Sequence, residues 1–143
     1  MNRINAGRVI LGGAAGAAIV FIVAGLLPGI MLDSDLKVWH QSTNNLYTHP
    51  SRSVAMVFFA LMSLVFGLTG TWIYAGMRPR YGPGPKTAVL AGVLVWLSGW
   101  LTAALGHMAL GDYPQTKLVI VPCIWGFIGA ILATLAGAAI YKE

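Results

Sequence analysis

Charge is what this sequence has least of. Four residues are acidic and nine are Lys or Arg, 9% of 143 together, where an ordinary soluble domain carries about 25%. No charged residue falls in 9–32, 53–77, 87–111 or 118–141. Inside those runs a carboxylate dyad is excluded, and a proton relay or ion path normally needs ionisable groups at depth. Cysteine occurs once, at Cys123, so no disulfide closes within the chain. After Pro122 it reads as a small packing residue in the first turn of the fourth run. A nucleotide cradle is missing too. The stretch Gly82-Pro83-Gly84-Pro85-Lys86-Thr87 has the look of a phosphate loop. Such a loop needs successive backbone N–H groups, which its prolines lack, and a preceding strand. With no nucleophile–base pair either, the chain is expected to be no enzyme and to carry no cofactor.

What the sequence does have is hydrocarbon: 57% of its residues are hydrophobic. Each uncharged run exceeds the about 20 residues that cross a bilayer as a helix. Within lipid every backbone polar group must bond inside the protein, which leaves helices or closed barrels. A barrel would alternate apolar and polar residues in segments of about ten, whereas these runs are apolar all round. The expectation is an all-α membrane protein, one four-transmembrane-helix bundle over 1–143 with spans near 9–31, 53–77, 87–110 and 118–141. The first run is too long for the apolar core of a secretory signal and lacks a small-residue cleavage site; it is expected to remain a span.

Four crossings put both termini and the middle loop on one side. That side holds Arg3, Arg8, Arg78, Arg80, Lys86 and Lys142; the other holds Lys37, Arg52 and Lys117, with Asp33, Asp35 and Asp112. The positive-inside rule then makes both termini cytoplasmic. Tyr74, Tyr81 and Tyr141 would form the inner aromatic belt, and Trp39, Tyr47, Tyr113 and Trp125 the outer one. No basic domain exists to bind nucleic acid. The cations Arg78, Arg80 and Lys86 are candidates for anionic lipid headgroups or a partner.

In the middle loop, Pro79, Pro83 and Pro85 are expected to stop the second helix, with Pro85 opening the third. In the first outer loop, Asp33 or Ser34 would cap a short interfacial helix with Leu36, Trp39, Thr43 and Leu46/Tyr47 on one face, before Pro50 opens the second span. A tight turn with Asp112 and Pro114 joins the last two spans.

Small residues let membrane helices approach closely. Gly12-x-x-x-Gly16 marks the first span and Gly129-x-x-x-Ala133-x-x-x-Gly137 the fourth. These helices are expected to pack within the bundle or across a subunit interface. At about 100° per residue, Trp96, Trp100, Ala103 and His107 share one face of the third span. His40, His49 and His107 all fall on the outer side and are the candidate ligands for a metal or haem, although no His-x-x-x-His spacing supports one.

The segment Arg78-Pro79-Arg80-Tyr81-Gly82-Pro83-Gly84-Pro85-Lys86-Thr87-Ala88, within Tyr74 to Trp96, resembles that of uncharacterised bacterial four-helix membrane proteins carrying R-P-R-aromatic-G-P-G-x-x-T-A after the second span. The resemblance implies a multi-pass protein of a bacterial inner membrane and brings no activity or ligand. Small multidrug transporters differ in having a glutamate in the first span. Fluoride channels resemble it in length and in a glycine-rich start but differ in an arginine after that start, an asparagine in the second span and a Thr/Ser/Phe-rich third span. The leading expectation is a non-catalytic scaffold or accessory subunit, a homo-oligomer or part of a larger membrane complex. The alternative is a small channel or transporter lined by Ser63, Thr69, Ser98, Thr102 and Thr134, with a broken first helix at Pro28-Gly29.

Overall fold

The computed structural model describes residues 4–44, 50–111, 113 and 115–141. Four helices in it are long and apolar enough to cross a membrane: α1 (Ala6–Met31), α3 (Arg52–Tyr81), α4 (Pro85–Leu110) and α5 (Lys117–Ile140). The short α2 (Asp33–Thr43) follows α1. Among the described residues there is no strand. The chain is an all-α, multi-pass membrane protein. Its outer surface carries the large apolar side chains, such as Leu11, Phe58, Val65, Trp72, Leu105 and Ile124, as lipid contact requires. The start of α1, the end of α5 and the α3–α4 turn meet at one end, here called proximal, where the Asn5 N–H donates to Tyr141 Oη at 3.1 Å. The α1–α2 and α4–α5 connections lie at the distal end.

Local chemistry sets each helix end. Asn5 caps α1 by accepting the Arg8 N–H. Ser51 caps α3 through Val54, so Pro50 precedes the cap instead of opening the span. The first helix is not broken at Pro28-Gly29. Proline has no N–H for the carbonyl of Ala24 and its ring crowds that carbonyl. A wider π-turn over Phe21–Leu26, with the Leu27 N–H bonded to Ile22 O, relieves the conflict. The helix then continues to Met31. Neither Asp33 nor Ser34 caps α2; the cap position is Leu32, and Asp33 and Asp35 lie in the first turn, where negative charge suits the helix dipole. Pro122 falls inside α5, beyond the first turn where it was expected, because the helix starts at Lys117.

Proline also fails to stop α3. Pro79 sits within the helix, which runs on to Tyr81. It forfeits one backbone bond near the end, while the next turn still closes through Gly82 N–H to Arg78 O at 2.9 Å. The reversal is made by glycine: Gly82 has φ +82° and Gly84 φ +132°. Pro85 then opens α4, and Thr87 Oγ1 donates back to Gly82 O at 2.8 Å. The Gly84 backbone, with ψ near 180°, occupies a region nearly closed to other residues. Gly84→Ala should therefore cost about 1–3 kcal/mol, read as a lowered midpoint of thermal unfolding in detergent. Gly106→Ala, with open space around its Cβ position, is the control and should not lower it.

α3 and α5 form the central pair, with α1 and α4 on opposite sides. Close backbone approach holds them. A Cβ on Gly12 would lie 2.8 Å from Gly137 O, one on Gly16 3.1 Å from Ala133 O, and one on Gly129 3.1 Å from Ala24 Cβ. The α1 and α5 small residues thus face each other inside the bundle. α3 adds its own ladder of Ser63, Gly67, Thr71 and Ala75, all buried at four-residue spacing. In α4 a second π-turn, Leu97–Leu101, advances the register. Of the residues expected on one face, Trp96, Trp100 and His107 are half-buried while Ala103 is exposed, and Ala104 is buried beside them.

Candidate functional site

The distal end gathers aromatic rings. The Trp39 ring, on α2, lies 5.0 Å from Tyr113, and Tyr113 lies 5.1 Å from His107 at 73°. His40 lies 5.1 Å from Trp39. Two of the three candidate histidines therefore meet the same aromatic pair; His49 lies outside the described residues, as do Leu46, Tyr47, Asp112 and Pro114. Among the described residues no three His, Cys, Asp or Glu side chains are placed to share a metal ion. Cys123 is half-buried, and its carbonyl accepts the Trp96 Nε1–H at 2.9 Å. The Asp35–Lys117 ion pair, 2.6 Å, fastens α2 to α5. The expected α2 face is present in part: Leu36, Trp39 and Thr43 are half-buried.

On the exposed rim of α2, Lys37 Nζ stands 2.6 Å from Asp33 Oδ2. The hydrogen bond from Lys37 holds the Asp33 carboxyl below its ordinary value; desolvation opposes this, and the charges of Lys37 and Arg52 add to it. A folded-state pKa below the unfolded one gives stability that is present above the unfolded value and lost as pH falls through the folded one. Amide exchange in α2, corrected for its intrinsic rate, should be flat from neutral pH to the usual carboxylate range and rise only below it. Asp33→Asn should reduce that acid step, leaving the part that comes from the Asp35–Lys117 pair.

The five hydroxyls named for a channel do not line one path. Ser98, Thr102 and Thr69 are exposed on the bundle surface, while Ser63 and Thr134 are buried. Four of them are bonded to carbonyls of their own helices: Ser63 to Phe59 O, Ser98 to Leu94 O, Thr102 to Leu97 O and Thr134 to Ala130 O, at 2.7–3.0 Å. The nearest main-chain carbonyl is a short serine or threonine side chain's easiest partner where water is absent.

The proximal end holds a cleft of about 450 Å³ between the end of α3, the α3–α4 turn and the last turns of α5, lined by Tyr74, Arg78, Pro83, Leu135, Ala138 and Tyr141 among others. Tyr74 and Tyr141, expected in the inner aromatic belt, do lie at this end. Both are buried, at 3% exposure, edge to face at 6.2 Å. Tyr74 Oη accepts the Gly84 N–H at 3.3 Å, which ties the turn to α3. The Arg78 guanidinium lies over the Tyr141 ring, 5.8 Å from its centroid. The structure separates the three candidate cations: Arg78 is half-buried in the cleft wall, while Arg80 and Lys86 are exposed. Sequence reasoning missed the two tyrosines as site residues, and only their proximity across α3 and α5 reveals them. No protein-family model, curated protein or solved structure matches this chain.

Proposed function

We propose that this protein is a non-catalytic scaffold or accessory subunit of a bacterial inner membrane, with both termini cytoplasmic, packing against a second copy or another membrane protein. The observation that carries the reading is the closed interior. α1 and α3 meet backbone to backbone at Gly13, Ala17 and Gly67, and the buried hydroxyls of Ser63, Thr71 and Thr134 are bonded within their own helices. Among the described residues these buried hydroxyls turn to their own helices and do not face one another across a polar route, which supports a packing role. The cation excess at the proximal end supports the orientation, and the resemblance of the 74–96 segment supports the bacterial membrane.

Photo-crosslinkers at exposed Phe58 and Trp72, in native membranes, test it. A discrete crosslinked species from either position is the expected result. A protein that stays uncrosslinked and monomeric, or that passes ions or solutes in sealed liposomes, would overturn the reading.

A further inference from the structure

The proximal cleft has more construction than a turn between helices requires. We propose that it holds the headgroup of an anionic phosphoglyceride, with the phosphodiester on Arg78 and an acyl chain lying along α5. The proposal deepens the scaffold reading but needs from it only the surrounding membrane.

Depth is the first support. Tyr74 and Arg78 lie 22 and 26 residues beyond Arg52 in one helix, about 33 and 39 Å along its axis. The hydrocarbon core is about 30 Å thick, so with Arg52 at one boundary these side chains reach the opposite headgroup layer. Size is the second. Small-molecule sites run from about 300 to 1,000 Å³, and this cleft of about 450 Å³ accepts a glycerophosphate group.

Charge and donors give the chemical class. Among the described residues that line the cleft none is a carboxylate. Arg78 is held in place by the Tyr141 ring, and a guanidinium matches phosphate oxygens with paired N–H groups. Tyr74 spends its oxygen accepting from Gly84, so its own O–H is a donor. The α4 N-terminus, opened by Pro85 in the cleft wall, adds the positive end of a helix dipole. Arg80 and Lys86 stand exposed nearby. Every one of these features favours negative charge, and a headgroup ending in an ammonium would bring a like charge among three cations. A glycerol-type headgroup fits. The remaining wall, Leu135 and the exposed Ala139, continues into the lipid-facing surface of α5 at Leu132. That apolar continuation assigns the phosphate to a lipid and not to a soluble ester.

The test is lipid binding to the delipidated protein in detergent, read by native mass spectrometry with phosphatidylglycerol and phosphatidylethanolamine of equal chain length. One phosphatidylglycerol per chain should bind, about tenfold or more tighter than the amine lipid, the scale of a charge-assisted hydrogen-bonded pair. Arg78→Gln should erase that preference, whereas the Arg80→Gln/Lys86→Gln pair should keep it. Ala139→Trp, which fills the groove and leaves every charge in place, should block binding and serves if Arg78→Gln does not fold. Glycerol 3-phosphate should not compete. Equal binding of both lipids, an unchanged preference in Arg78→Gln with unhindered binding in Ala139→Trp, or displacement by glycerol 3-phosphate overturns the proposal. None of these results bears on the protein partner, which the crosslinks test separately.

Discussion

Gly67→Ala should lower the stability of the bundle by about 1–3 kcal/mol, the usual cost of forcing extra volume into a filled core. The added methyl would meet the Gly13 carbonyl oxygen and Ala17 nitrogen, and would lie 2.9 Å from Ala17 Cα. All three atoms belong to the backbone of α1, so no rotamer change relieves the clash and the helices must part. α1 is also bound on its other side to α5, through Gly12 against Gly137 and Gly16 against Ala133. A shift away from α3 therefore disturbs a second seam. Gly76→Ala, on the same helix with nothing within 4 Å of its Cβ position, separates packing from propensity: alanine favours the helix by about 1 kcal/mol. Thermal unfolding in one detergent should place Gly67→Ala several degrees below wild type and Gly76→Ala at or above it. Matching midpoints for the two variants would mean that α1 and α3 do not touch there.

The same seam explains what could be read beforehand. The four crossings were legible because hydrocarbon excludes charge, and the gaps between charged residues mark them directly. The α1 and α5 ladders were legible because glycine spells them. The α3 ladder was hidden because two of its four rungs, Ser63 and Thr71, are hydroxyl residues and not glycine, and Ser63 also reads as pore lining; in the structure their oxygens turn to Phe59 O and Gly67 O and their small size is what matters. The π-turns were invisible for another reason. A period of 100° per residue assumes i to i−4 bonding throughout, and a single i to i−5 bond such as Leu27 to Ile22 leaves no mark in composition. At Pro28 the signal was present but misread, since proline's conflict with the preceding turn can be met by widening the helix as well as by ending it. The site was least legible. Three cations in one loop look alike in sequence, and only the fold puts Arg78 beside Tyr141, 63 positions away in the numbering.

The second large effect lies at Trp100, whose ring joins three helices. It stacks on Phe66 of α3 with centroids 4.1 Å apart at 26° and covers Gly126 of α5, where a Cβ would run into the indole. The π-turn over Leu97–Leu101 sets this position. In water, removing such a ring costs about 3–5 kcal/mol, part transfer free energy and part lost packing. In a bilayer the transfer part largely vanishes, because lipid receives the exposed surface as readily as the protein interior does. Trp100→Ala should then cost about 2 kcal/mol, nearly all of it lost dispersion contact. The pairing with Phe66 is separable: Phe66→Ala combined with Trp100→Ala should be less damaging than the sum of the two by about 0.5–1.5 kcal/mol, the range for stacked aromatic pairs. Strict additivity in that double-mutant cycle would show that the rings do not stack in the membrane. A cost for Trp100→Ala as large as in water would show that the site is sealed from lipid, which would strengthen the case for a partner covering this side of α4.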